Sequence, residues 1–74
     1  MFIVIEIKFN DSSETSTNSY ATRAEAEGAF YQILARAATS DYKIHSAVMV
    51  TAEGYLCKSE CYDRRTNEEK NQYN

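Results

Sequence analysis

The stretch from His45 to Tyr62, HSAVMVTAEGYLCKSECY, decides how this chain folds. Two runs with β-branched and aromatic residues flank the short connection Ala52-Glu53-Gly54, which reads as a β-hairpin closed by a glycine-containing loop. Side chains alternate between the two faces of a strand. One row of the hairpin therefore carries Ile44, Ser46, Val48 and Val50 with Tyr55, Cys57, Ser59 and Cys61. The other carries His45, Ala47 and Met49 with Leu56, Lys58, Glu60 and Tyr62. The stretch holds the only histidine and both cysteines, so the row that faces the core also decides where any chemistry sits.

Outward from the hairpin, residues 2–9 (FIVIEIKF) are aliphatic and aromatic, too short for a helix, and end at Asn10-Asp11; they read as a strand. Asn10 to Ser13 are turn formers. The polar segment ETSTNSY (residues 14–20) fits an edge strand returning along the first, with a flexible loop as the competing reading. Residues 22–38 form a helix: Thr22 and Glu25 match a capping box, and Ala26, Phe30, Ile33 and Ala37 make one apolar stripe that Leu34 widens. Gly28 lies inside that helix, a place explained by close approach to a sheet or a second helix. Residues 63–74, DRRTNEEKNQYN, are almost wholly polar and read as a disordered tail. The expected architecture is a single α+β domain over residues 1–62: a small antiparallel sheet of four strands, ββαββ, with one helix packed on one face.

A helix covers only one side of a sheet. The more apolar row of the first strand, Ile3, Ile5, Ile7 and Phe9, is expected beneath it, with Ile44, Val48, Val50 and the cysteine row. The uncovered side would then carry Phe2, Val4, Ala47, Met49 and Leu56 among Glu6, Lys8, His45, Lys58, Glu60 and Tyr62. That row is too apolar to face water alone and points to self-association. Phe2, Val4, Ala47, Met49 and Leu56 are the expected oligomer interface. Lys8, His45, Lys58, Glu60 and Tyr62 are the expected ligand- or partner-binding set.

The remaining composition excludes more than it identifies. Eight basic against eleven acidic residues give a net charge of −3, which opposes sequence-independent nucleic-acid binding. The opening MFIVIEIKFN has no basic leader region and places Glu6 and Lys8 within its apolar run. No stretch approaches the roughly 20 apolar residues of a membrane span. The expected location is the cytoplasm, where the cysteines stay reduced.

Cys57 and Cys61 lie about 13 Å apart along an extended strand, beyond the roughly 4.4–6.8 Å a disulfide spans. Two cysteines and one histidine are too few for a structural zinc, and a cysteine–histidine nucleophilic pair needs both groups on one face. With two glycines in the whole chain, no glycine-rich phosphate loop exists. No metal, cofactor or enzymatic activity is expected. Glu6, Lys8, Lys58 and Glu60 could form cross-strand ion pairs, and His45 is expected to be partly buried with a local hydrogen bond.

The segments MFIVIEIKFN, YQILARAA and HSAVMVTAEGYLCKSECY together resemble a group of very short uncharacterised proteins of gut bacteria and their phages. The resemblance implies a phage or mobile-element context and a compact α+β fold, and assigns no catalytic or binding residue. That context favours a small protein that binds a host protein or sequesters a signalling nucleotide; with the self-association expected from the apolar row, the reading is an oligomer that binds a host protein. The alternative is a sponge that sequesters a nucleotide or similar anion at a subunit interface, using the lysines and the tyrosines.

Overall fold

The computed structural model describes residues 1–73. Strands β1 (Phe2–Phe9) and β2 (Ser13–Tyr20) form an antiparallel hairpin, helix α1 (Arg23–Ala37) follows, and β3 (Ile44–Thr51) and β4 (Leu56–Asp63) form a second antiparallel hairpin. The strand order is β2-β1-β3-β4, with β1 and β3 antiparallel at the centre. The expected α+β fold, a four-stranded antiparallel sheet with one helix packed on a face, is the fold observed. The polar segment is an edge strand: Phe9 opposes Ser13, so residues 10–12 close a tight turn. Gly54 has φ +95°, a backbone conformation that suits glycine, and it closes the β3–β4 connection with Thr51.

Helix α1 begins as expected. Thr22 is extended and its hydroxyl accepts the Glu25 amide, satisfying one of the N–H groups left open at a helix start. Ala26, Phe30, Ile33 and Ala37 are its buried residues, the same stripe that the spacing predicts. Gly28 differs from expectation. It is exposed, and a Cβ there would meet nothing within 4 Å, so no close approach requires a glycine. Gly28→Ala is expected to raise unfolding stability by about 0.5–1 kcal/mol, read from the denaturation midpoint, since it lowers the backbone entropy of the unfolded chain.

The faces of the sheet are inverted relative to the sequence reading. The core under α1 is built from Val4, Ala47 and Met49 with Ala26, Phe30 and Ile33, and Phe2, Tyr20, Ala29, Leu34 and Cys57 pack around it. Phe2, Val4, Ala47 and Met49 are therefore core residues, not interface. Of that set only Leu56 remains at the surface, 63% exposed. The covered row has Ala47 at its centre, fully buried, and carries Glu6 and His45, whose contacts with Arg36 and Ser40 fasten the end of α1 to this face. The cysteine row also splits. A register shift between Met49 and Val50 pairs Met49 with Lys58 but Val50 with Leu56, leaving Cys57 as the extra residue. Cys57 packs against the core, while Cys61 opposes Ser46 on the far face and is exposed.

The polar tail also folds further than expected: residues 67–73 form helix α2 (Asn67–Tyr73). Thr66 and Glu69 make a reciprocal capping box, Thr66 N–H donating to Glu69 Oε1 at 3.1 Å and Glu69 N–H to Thr66 Oγ1 at 3.2 Å. The Lys43 ammonium, 2.6 Å from Glu69 Oε2, ties α2 to the start of β3. Among the described residues no helix is long and apolar enough to cross a membrane.

Candidate functional site

Two arrangements stand out, one on each side of the sheet. On the helix side, cross-strand register sets Lys8, His45 and Tyr62 in one row, Glu6, Ala47 and Glu60 in the next, and Val4, Met49 and Lys58 in the third. The five expected binding residues thus do share a face, but it is the face that α1 covers. His45 is 3% exposed. Its Nε2 lies 2.6 Å from Glu6 Oε2 and its Nδ1 lies 2.8 Å from Ser40 Oγ, just beyond the end of α1. Arg36 reaches the other Glu6 oxygen at 3.4 Å, and the Tyr42 ring meets His45 edge-on.

This chain of groups is satisfied in either protonation state of the ring. As imidazolium, His45 donates from both nitrogens, and the Ser40 hydroxyl accepts from Nδ1 while donating to the Ala37 carbonyl 3.3 Å away. As the neutral Nε2–H tautomer, His45 still donates to Glu6, and Ser40 donates to Nδ1. Among the described residues no buried side-chain polar atom lacks a partner. Burial pushes the Glu6 carboxyl upward, but the His45 hydrogen bond and the charges of Arg36, His45 and Lys8 outweigh it and hold the group below its ordinary value.

A serine, a histidine and a glutamate in line invite comparison with a hydrolytic triad, but the surroundings argue otherwise. The ring is sealed from solvent. The amides of Ala38, Thr39 and Ser40 donate to Leu34, Arg36 and Ala37, so they do not form an oxyanion hole beside Ser40. The arrangement fastens the C-terminal end of α1 to β1 and β3. Arg64, which the sequence reading passed over, completes the same junction: its guanidinium donates to the carbonyls of Ala37 and Tyr42.

The other expected site residues are committed elsewhere. Lys8 sits over the Tyr42 ring, 5.5 Å from its centroid. Lys58 lies 3.5 Å from Glu27 Oε2 and 5.6 Å from the Tyr31 ring centroid, and the Tyr31 hydroxyl and Glu27 hold its ammonium above the ordinary value. Tyr62 is partly exposed and lies under the Arg64 guanidinium. Glu60 is exposed beside Lys58. The expected cross-strand pairing of Glu6, Lys8, Lys58 and Glu60 gives way to ion pairs with the helix: Glu6 with Arg36, and Lys58 with Glu27.

Three cavities have the shape of ligand sites. A polar notch of about 100 Å³ lies between α1 and β2 beside Glu6 and Arg36. A groove of about 240 Å³ runs between Tyr31 and Leu34 of α1 and Lys58 and Glu60 of β4. Both fall below the roughly 300–1,000 Å³ of small-molecule sites. A depression of about 350 Å³ along β3 and β4 is lined by Ser46, Ala47, Val48, Ser59, Glu60 and Cys61, with no cation among them. Among the described residues no three His, Cys, Asp or Glu side chains gather as a metal site. Partial burial, and then the nearby Asp63 carboxylate, push the Cys61 thiol above its usual value although the residue as a whole is exposed; this disfavours the reactive thiolate.

The second arrangement is the face that α1 leaves open. By register it carries Ile3, Ile5, Ile7 and Phe9 of β1 and Ile44, Ser46, Val48 and Val50 of β3. Ser13, Thr15, Thr17 and Ser19 of β2 and Leu56, Ser59, Cys61 and Asp63 of β4 flank them. Asp63 is the one charged residue in this set, and it is at the end of a strand, held by Arg65 through two 3.0 Å contacts. The central row is more aliphatic than the core on the other side. No described element packs broadly against it, since α1 makes the main helix–sheet contacts and makes them all with the covered side. No protein-family model, no curated protein and no solved structure matches this chain.

Proposed function

We propose that this chain is a small, non-catalytic protein-interaction module of the phage or mobile-element type. It acts in the cytoplasm, oligomerises, and binds a host protein. The observation that carries the interaction reading is the open sheet face, where Ile3, Ile5, Ile7, Val48 and Val50 form a contiguous aliphatic surface without a charge. Contiguous apolar surface of this extent marks an interaction site rather than a solvated face. The non-catalytic reading is supported by a histidine that is sealed and fully engaged and by a cysteine that resists ionisation. Nucleotide capture has less support, because Lys58 is paired with Glu27, Lys8 stacks on Tyr42, and the largest of the three cavities has no cation.

Thermal denaturation with and without a mixture of nucleotides separates the two readings. The wild-type midpoint is expected to stay where it is, since a ligand raises it only by binding the native state. Ile7→Lys is expected to remove every protein association of the chain. A nucleotide-dependent rise in the wild-type midpoint that Lys58→Ala removes would overturn the proposal in favour of a sponge.

A further inference from the structure

We infer that the occupant of the open face is a second copy of this chain, packed sheet to sheet about a two-fold axis with α1 of each copy outermost. The inference rests on the interaction reading above and narrows it to one partner.

The molecule carries a net −3, yet its central open-face row carries no charge at all. A two-fold axis sets each residue near a copy of itself or of a neighbour. Rows of isoleucine, valine, serine and threonine meet their own copies without repulsion, and the acidic surfaces of the two copies are left on the outside. A partner recognised through this chain's acidity would find nothing on this face to steer it.

Each strand has eight residues. At about 4.8 Å between strands and about 3.3 Å per residue, four such strands present roughly 500 Å². Two copies would bury roughly 1,000 Å² before side-chain relief is counted, about the least that a biological interface buries.

The core under α1 contains Val4, Phe30, Ile33 and Met49 as its large side chains, the rest being alanines. More aliphatic mass lies on the open face than in that core. Domains of this size commonly need a disulfide, a metal or a partner subunit. Both cysteines are free and sit on opposite faces. A sheet-to-sheet dimer supplies the missing layer, with the two inner faces about 10 Å apart.

The test is solution mass by light scattering over a dilution series of the full chain, for wild type, Ile5→Lys and Ile5→Thr. The expected result is twice the chain mass at high concentration, falling toward one on dilution. Ile5→Lys should be a folded monomer by circular dichroism. Ile5→Thr keeps the β-branched side chain and adds no charge, so it stays informative if the lysine variant does not fold; it should weaken association about tenfold or more, since the change occurs in both copies. A wild-type monomer that binds an apolar fluorescent dye, with the binding lost in Ile5→Thr, would overturn the second copy and leave the interaction face for another partner. A wild-type monomer that binds no dye would overturn both. A dimer indifferent to both substitutions would place the interface elsewhere and overturn the inference.

Discussion

A lysine at Val4 or Met49 is expected to abolish folding, while a lysine one residue along, at Ile5 or Val48, leaves a folded chain. Val4 and Met49 are among the most deeply buried side chains, at 2% and 0% exposure, and both lie against α1. An ammonium placed there has no acidic partner within the cluster, and burying an unpaired charge costs several kcal/mol. Domains of this size rarely hold more than about 3–5 kcal/mol in their core, so the loss exceeds what is available. Ile5 and Val48 are directly opposed on the open face, where the ammonium of a single copy reaches water. Circular dichroism and thermal denaturation distinguish the pairs. Cooperative melting of Val4→Lys together with collapse of Ile5→Lys would restore the opposite face assignment.

The second large effect is expected at Glu6. Its side chain is 12% exposed, and Glu6→Ala leaves the His45 Nε2–H facing a void inside the fold. Breaking a buried pair from one side typically costs about 3–5 kcal/mol, much of it for the partner left without a counterpart. Glu6→Gln retains an acceptor for Nε2–H and removes only the charge, so a smaller loss of about 1–2 kcal/mol is expected. The pH dependence has a definite sign. The folded carboxyl lies below its ordinary value, so Glu6 stabilises the fold above the ordinary carboxylate range, and that contribution disappears as pH falls through the lower, folded value. Urea midpoints of wild type and Glu6→Gln should therefore differ at neutral pH and converge in acid. A constant difference from neutral to strongly acidic pH would contradict the assignment of the effect to the Glu6 charge. The Arg36 contact adds little to this, because that arginine is largely exposed.

The elements were legible in the sequence because their signals are local: the Thr22–Glu25 start, the four-three-four spacing from Ala26 to Ala37, and the turn residues at positions 10–12. The polar β2 was legible through length alone, since a connection of that size inside a small domain is better formed as a strand. Alternation sorted β1 and β3 correctly into two rows, but the shift in β4 put Leu56 on the open face and Cys57 against the core. Which row α1 covers was not legible, because hydrophobicity ranks Ile3, Ile5 and Ile7 above Phe2, Val4 and Glu6. The helix instead selects the row with a small centre at Ala47, and the row whose glutamate Arg36 and His45 can both reach. The split of the two cysteines depends on a register shift, which leaves no mark in the pattern. Helix α2 did have a signal. Thr66 and Glu69 repeat the spacing of Thr22 and Glu25, but no apolar stripe follows, and the polarity of the segment hid it. Arg64 had none, since its partners Ala37 and Tyr42 come together only in the folded chain.

The inverted assignment changes the meaning of the open face. A moderately apolar row exposed by accident would explain little. If the most aliphatic row of the chain is covered by the second copy inferred above, association adds to the stability of a fold whose core is the smaller row. The measurement that tests this most directly is the thermal midpoint of the wild-type chain as a function of its own concentration. If the open face is buried against a second copy, the midpoint rises with concentration, because association stabilises the native state by mass action. A midpoint that stays constant over a hundredfold range of concentration would contradict the account.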